Sequence, residues 1–571
     1  MIEIKEIETK KDKIRAYISE ITFNNGESLS IESDDIVLFV GPNNAGKSQS
    51  LNDIYVKSGQ ENPTVVISSI KTQKDGGSLF SFIKPLSKVE DQGDIFLISF
   101  NGRSLGFNKN HGEKDFKSIM NYGSFKDFFI CKLSTENRLS ICYPANILNR
   151  DEPWTHPIHY AAYNSKYADW LTENFNKAFG VDLTANSQHG ATIPLCIGPQ
   201  VKLENTYKSE QERLNAFADI LESYKQVQMQ GDGIKSFTGI LLNLMLDYYC
   251  TYLIDEPESF LHPPQARIMG QIIGNTLGQN QQAFISTHSE DIVKGLLDVC
   301  DSRLKIIRIT REEDKNYFSI LDNQKIKEVF GDPLLKYSNI MSSLFHKTVV
   351  LCESDSDCKM YSVIESHLKQ EDGKYSETLF IHCGGKQRMA RTAGALKALN
   401  IDVRLIPDID VLNDKNIIKG ITDTFGIEWG SIESDYNNVV SNLHSPKERI
   451  IRTEAKTIIE NVLNSSSELF LSGKEVNQIQ ESVKTISKWD GIKKGGKQAL
   501  PAGDASKSFE RIDSTFRNHN IYLVPVGELE GFVKEVGGHG PEWVNGVLEQ
   551  YPDLNDPVYK NLREFIRDID L

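Results

Sequence analysis

Gly41-Pro42-Asn43-Asn44-Ala45-Gly46-Lys47-Ser48 decides the fold of the first half of this chain. It fits the P-loop pattern G-x-x-x-x-G-K-[ST]. Before it, Ile36-Val37-Leu38-Phe39-Val40 is a continuous apolar run rich in β-branched residues, which predicts a strand buried on both faces. The residues after it predict a helix. Phosphate binding needs this order. Small residues let successive backbone N–H groups turn inward as an anion nest, and the helix adds its positive N-terminal end. On this reading Asn43, Asn44 and Gly46 belong to the nest. Lys47 reaches the β- and γ-phosphates of ATP, and the Ser48 hydroxyl ligates Mg²⁺.

Further along, Thr251-Tyr252-Leu253-Ile254 predicts a strand ending in Asp255-Glu256-Pro257-Glu258. Asp255 is placed to hold Mg²⁺ through water, and Glu256 to polarise an attacking water. Gly231-Asp232-Gly233 opens the helix before that strand, a terminus suited to a γ-phosphate held by another subunit. Leu261-His262-Pro263 follows the acids. Ile285-Ser286-Thr287-His288 predicts a strand whose terminal His288 can sense the γ-phosphate.

A second set of strands also ends in acids. Val349-Val350-Leu351-Cys352 delivers Glu353, and Val403-Arg404-Leu405-Ile406 delivers Asp408-Ile409-Asp410. Between them, Thr378-Leu379-Phe380-Ile381 leads into His382-Cys383-Gly384-Gly385. In a parallel sheet the carboxyl ends of strands share one edge, so Glu353, Asp408 and Asp410 are expected to meet. Clustered carboxylates repel one another, and a divalent cation resolves the repulsion.

Composition bounds the rest. The chain has 571 residues, 64 Lys+Arg against 79 Asp+Glu and a net charge of −15. Length suggests about two to four domains. The acidic balance excludes a simple basic coat for DNA, though not a local basic groove. No apolar run is long enough to span a bilayer, and the opening residues lack the apolar segment of a signal peptide. Eight cysteines without a CxxC pair point to a reduced, cytoplasmic setting. The opening predicts a strand pair, 14–18 running into 21–23, a turn at 24–26 and a strand at 29–31. The region 57–222 mixes strand-like runs such as 94–100 with polar helices such as 167–179. A last strand is expected at 521–526, with Pro525 marking it as an edge.

The order P-loop, Gly-Asp-Gly, Asp-Glu, Leu-His-Pro, Thr-His resembles the ABC-type ATPase heads of SMC-like and RecF-like DNA proteins. The order strand–Glu, strand–Gly, strand–Asp-x-Asp resembles a Toprim domain. Joined through Leu344-Phe345-His346-Lys347, nearly the whole chain resembles the OLD (overcoming lysogenization defect) family. The resemblance implies an α/β fold: an ABC-type P-loop ATPase head at 1–345, with a lateral and dimerisation region at 57–222, then a Toprim domain at 346–571 with a helical insertion at 414–508.

It also implies an ATP-hydrolysing, metal-dependent endonuclease that cleaves DNA with Mg²⁺, Mn²⁺ being an alternative. Two metals flank the scissile phosphate. Glu353 and Asp357 match the family's first acidic motif, Asp408 and Asp410 the second, and Gly527-Glu528-Leu529-Glu530 the late one, which adds Glu528 and Glu530. A lysine is expected at the scissile phosphate, from Lys493, Lys494 or Lys497, with Lys497 the first choice. A homodimer or higher oligomer through the heads, and antiviral defence with a partner protein or nucleoprotein, are implied as well. One departure stands out: Ser354 follows Glu353 where the family usually has glycine. Two alternatives stay open. One is a nucleotide-controlled sensor or scaffold with a degenerate Toprim domain; the other is the same chemistry directed at RNA. The positions of Glu528, Glu530 and Lys497 relative to Asp408 bear on the first.

Overall fold

The computed structural model describes residues 14–569 except 61, 101–102, 150–151, 153, 200, 202, 204–208, 301, 332–338, 444–450, 467, 469 and 484–487. It divides into two compact units, 1–327 and 328–571. The division falls earlier in the chain than the join expected at 345/346. The fold is α/β, with parallel sheets in both units.

In the first unit the P-loop strand Ile36–Val40 is buried along its whole length, as a two-faced apolar run requires. It lies within a six-stranded sheet of order Lys315–Leu321, Leu304–Glu312, Ile36–Val40, Gln282–Ser286, Thr251–Asp255, Ile130–Leu133. Five strands are parallel and Lys315–Leu321 pairs antiparallel at one edge. Ser286 is level with both Phe39 and Asp255. The P-loop, the Asp255 turn and Thr287-His288 therefore leave the sheet at the same edge.

A second, antiparallel layer pairs Arg15–Phe23 with Ser28–Ser30 and Ile67–Asp75. The strand pair expected at the start is present: the runs 14–18 and 21–23 join in one continuous strand, Arg15–Phe23, that turns back into Ser28–Ser30. Its register slips between Ile18 and Glu20, and that irregularity interrupts the alternation in the sequence. The 57–222 region carries an antiparallel meander, Lys88–Gln92, Ile95–Phe100 and Arg103–Asn108, then helices Pro157–Tyr163, Ser165–Phe179 and Glu210–Glu222.

The second unit is built on a parallel sheet of order Thr378–His382, Thr348–Cys352, Asp402–Ile406. Cys352 is level with His382 and Ile406, so the three following loops share one edge. The strand expected at 521–526 is reduced to one parallel bridge, Leu405 to Ile521. The chain still runs alongside: Tyr522 N–H donates to Leu405 O (2.8 Å) and Val524 N–H to Pro407 O (3.1 Å). Pro407 has no N–H to donate to Tyr522 O between those two bonds, so the ladder does not continue. Helices Lys415–Phe425, Trp429–Leu443, Arg452–Asn464, Gly473–Val483 and Lys488–Gly495 follow Asp410. Trp543, Tyr361, Phe565 and Val350 share one buried core that fixes helix Asp355–Glu371 against the sheet. No helix among the described residues is long and apolar enough to cross a membrane. No disulfide joins any of the eight cysteines, all of which lie among the described residues.

Candidate functional site

The P-loop is held by backbone geometry that only glycine tolerates. Gly41 sits at φ +143°, and a Cβ there would lie 2.2 Å from Ile309 O. Gly46, at φ +95°, caps helix Lys47–Lys57, and Asn44 is left-handed at φ +57°. Asn43, Asn44 and Ser48 face solvent, whereas Lys47 is buried. Lys47 Nζ donates to Gly41 O (2.8 Å) and Pro42 O (2.7 Å). Burial pushes its ammonium down to about 8, against the pull of Glu256, Glu258 and Asp255. Opposite it, Ser286 Oγ hydrogen-bonds Asp255 Oδ1. His288 Nε2 lies 3.7 Å from Glu256 Oε1, and burial, then Lys47, lowers the His288 imidazole. Glu256 is strained into the left-handed region at φ +45°. The edge thus gathers Lys47, Asp255, Glu256 and His288, the set read from the sequence. Gly231 is the N-cap of helix Asp232–Leu244, and a Cβ on Gly233 would lie 2.6 Å from Phe260 O.

Arg138 was not legible. It is buried, and its guanidinium donates to the carbonyls of Asp255 and Glu256 (3.2 Å to the latter), holding the turn that presents both acids. A lone arginine far away in sequence gives no pattern that would find it.

In the second unit, Glu353, Asp408 and Asp410 bring carboxylate oxygens within 4.8 Å of one another. Asp408 N–H donates to Glu353 Oε1 (3.4 Å). Burial and the Asp410 charge push the Glu353 carboxyl up to about 7. Asp408 is held well above the usual carboxylate range, by burial first and then by Glu353, Asp357 and Asp410. Asp410 Oδ1 is buried with no hydrogen-bond partner among the described residues. An all-oxygen donor set with one orphaned buried oxygen fits a hard divalent cation such as Mg²⁺. Lys386, which follows the Gly384-Gly385 turn, reaches Asp410 Oδ2 (2.9 Å) and Asp410 O (3.2 Å). Its place after a strand-ending glycine pair was the available signal.

Glu528 and Glu530 do not join that trio. They form a second group with His539, again within 4.8 Å. His539 Nδ1 is 2.6 Å from Glu530 Oε1, which also accepts the Gly540 N–H (2.8 Å). His539 was missed, and nothing near it in sequence marks it. Asp357 caps a helix: its Oδ2 accepts the Ser354 N–H (2.8 Å), and Ser354 Oγ accepts the Asp357 N–H in return (3.3 Å). Ser354, the departure noted above, is therefore the N-cap of helix Asp355–Glu371.

The candidate lysines differ in where they lie. Lys493, not Lys497, faces the acids. Its Nζ is 3.4 Å from Glu528 Oε2, and Asp410, Glu528 and Asp408 hold its ammonium above the usual range although burial opposes them. Lys497 is exposed and lines a separate cleft with Arg517 and Glu535. The cause is close backbone packing. A Cβ on Gly527 (φ +107°) would lie 2.0 Å from Lys493 O, and one on Gly496 (φ +63°) 2.2 Å from Pro525 O. These glycines let the lysine helix lie directly on the segment 525–527 that leads into Glu528. Lys493 thereby spans the two carboxylate groups.

These features define a P-loop α/β unit followed by a Toprim-type unit with an acidic, metal-fitting edge. Residues 344–410 match the family described as "Overcoming lysogenization defect protein-like, TOPRIM domain". The chain is 22% identical over 330 residues to the Old nuclease of Escherichia phage P2, covering 53% of this chain and 48% of that protein. It is 28% identical over 171 residues to the OLD nuclease of Thermus scotoductus, covering 28% and 31% respectively. It thus spans about half of the first relative and about a third of the second. The resemblance to OLD nucleases drawn from the sequence stands. Among solved structures, the SMC head domain from Thermotoga maritima is 13% identical with a TM-score of 0.27, covering 54% of this chain and 98% of that one. The Smc head domain with an extended coiled coil bound to the C-terminal domain of ScpA derived from Pyrococcus furiosus is 12% identical with a TM-score of 0.31, covering 55% and 99%. The fold rests on strand order and P-loop geometry rather than on these low-scoring likenesses.

Proposed function

We propose that the chain is a nucleotide-regulated, divalent-metal-dependent phosphodiesterase acting on nucleic acid, with DNA the favoured substrate. One observation carries the reading: the convergence of Glu353, Asp408 and Asp410 at the carboxyl edge of a parallel sheet, with a buried oxygen of Asp410 left unpartnered. Glu353, Asp408 and Asp410 would hold Mg²⁺, and Glu528, Glu530 and His539 offer a second set of donors. When bound, such ions supply charge stabilisation at the phosphate and a more acidic water. The protein's own part is positional. Lys386 neutralises Asp410 and keeps its carboxylate turned into the group. Lys493, between the two groups, offers an ammonium to a phosphate oxygen as charge builds there. Hydrolysis adds water across one P–O bond, leaving a phosphate monoester and a hydroxyl.

In the first unit, Lys47, Ser48 and the P-loop amides would bind ATP with Mg²⁺. Asp255 and Glu256 would serve the metal and the water, and His288 would sense the γ-phosphate. Gly231 and Gly233 would meet the nucleotide of a second copy, so dimerisation would depend on ATP and regulate cleavage. An antiviral role belongs to the same proposal through the resemblance alone.

The test is incubation with plasmid, linear DNA and total RNA, in Mg²⁺ or Mn²⁺, with and without ATP. Asp408→Ala is expected to abolish cleavage and leave ATP binding intact. Undiminished cutting by that variant overturns the assignment.

A further inference from the structure

The first unit holds a cleft that the nucleotide site does not use. It is about 630 Å³ in volume and opens beside the edge strand Ile130–Leu133, between the end of helix Lys47–Lys57 and the Arg103–Asn108 strand. That volume is within the range of small-molecule sites. Three cations line it, Arg103, Lys126 and Lys132, against one carboxylate, Asp127, among the described residues. Asp127 is already engaged twice: Arg103 Nη1 is 2.7 Å from its Oδ2, and the Tyr55 hydroxyl donates to its Oδ1 (2.7 Å). Both ammonium groups lie over the Tyr55 ring, 3.8 Å (Lys126) and 4.8 Å (Lys132) from its centroid. Lys126 Nζ donates to Tyr55 O (3.3 Å) and Lys132 Nζ to Asn52 Oδ1 (3.0 Å). Each ammonium has three donors, so each keeps others for a ligand.

In a chain of net charge −15, two lysines and an arginine gathered in one cleft with a single carboxylate are not explained by the need for solubility. Crowded like charges oppose folding unless a counter-charge arrives, and a low-dielectric cleft of one sign concentrates anions. The same crowding shows on Lys126: burial lowers its ammonium, Asp127 opposes, and Arg103 and Lys132 lower it further. The mixed lining, with Phe100 and Leu105 beside the cations, suits a ligand with an anionic end and an organic body.

We propose that this cleft binds a small organic phosphate of nucleotide size, its phosphoryl group held by Lys126, Lys132 and Arg103. The inference does not depend on the metal centre or on cleavage. The test is amine acetylation of the full chain read peptide by peptide by mass spectrometry, with AMP and pyrophosphate as probes. Either probe is expected to slow labelling of Lys126 and Lys132 about tenfold at about ten times its dissociation constant, with Lys177 unchanged as a control. Lys47→Ala should retain the protection, which separates it from the P-loop. Lys126→Gln combined with Lys132→Gln should remove one binding event in calorimetry and leave the P-loop event. Three outcomes overturn the proposal: no protection by either probe, protection lost with Lys47→Ala, or protection only by a DNA or RNA oligonucleotide.

Discussion

Glu353→Gln removes one of three carboxylates crowded into a buried corner, and it keeps the shape and the acceptor that meets the Asp408 N–H. Burial and the Asp410 charge push the Glu353 carboxyl from 4.5 up to about 7, with Lys386 opposing. An acid raised on folding is easier to ionise in the unfolded chain. Stability is therefore fully present below pH 4.5 and is lost as pH rises, completely so above pH 7. The distance from 4.5 to about 7 corresponds to about 3 kcal/mol. In chelator at pH 8, Glu353→Gln is expected to exceed the parent in stability by up to about 3 kcal/mol. For a unit of this size each kcal/mol moves the melting temperature by about 2–4 °C. Near pH 4.5 the two proteins should nearly coincide. Added Mg²⁺ should raise the parent's melting temperature and leave the variant's almost unmoved, because a ligand stabilises only the state that binds it. Scanning calorimetry at the two pH values, with chelator or Mg²⁺, measures all of this. If Glu353→Gln is no more stable than the parent in chelator at pH 8, or gains as much near pH 4.5, the carboxylates do not repel as argued.

Three further outcomes follow from the geometry. Lys493→Ala should lower nuclease turnover about a hundredfold or more, whereas Lys497→Ala should stay within about twofold, measured on one DNA substrate at saturating Mg²⁺. Gly527→Ala should destabilise the second unit by about 2 kcal/mol or more and impair cleavage, since its φ of +107° and its 2.0 Å approach to Lys493 O admit no side chain; thermal melts and cleavage assays on the same preparation check it. His156 caps helix Pro157–Tyr163 by accepting the Ile158 N–H (3.2 Å), and burial, then the charge of His159, lowers its imidazole from 6.5 to about 4. A group depressed on folding stabilises above its unfolded value, so about 3 kcal/mol should be lost as pH falls from 6.5 toward 4, and His156→Asn, which can still cap, should flatten that limb of a melting-temperature profile.

Much of this was legible in the sequence because the decisive groups sit at strand ends. The apolar run Ile36–Val40 fixed the position of the P-loop, and the runs before Asp255, Glu353 and Asp408 fixed those acids. Local pattern is enough when the backbone itself delivers the side chain. It was misleading for 521–526, where an apolar run with strand character forms a single bridge because Pro407, on the neighbouring chain segment, has no N–H to donate to the ladder.

The sequence by itself determined two α/β units, the P-loop with its acids, and the trio Glu353, Asp408 and Asp410, since each depends on a short stretch and on the shared edge of a parallel sheet. Only the tertiary structure decided that Lys493 rather than Lys497 meets the acids, that Glu528 and Glu530 group with His539, that Arg138 braces the Asp255 turn, and that Arg103, Lys126 and Lys132 line one cleft. The physical reason is common to all four. Each depends on how segments pack or loops fold back in three dimensions, and such placement leaves no periodic trace in the chain.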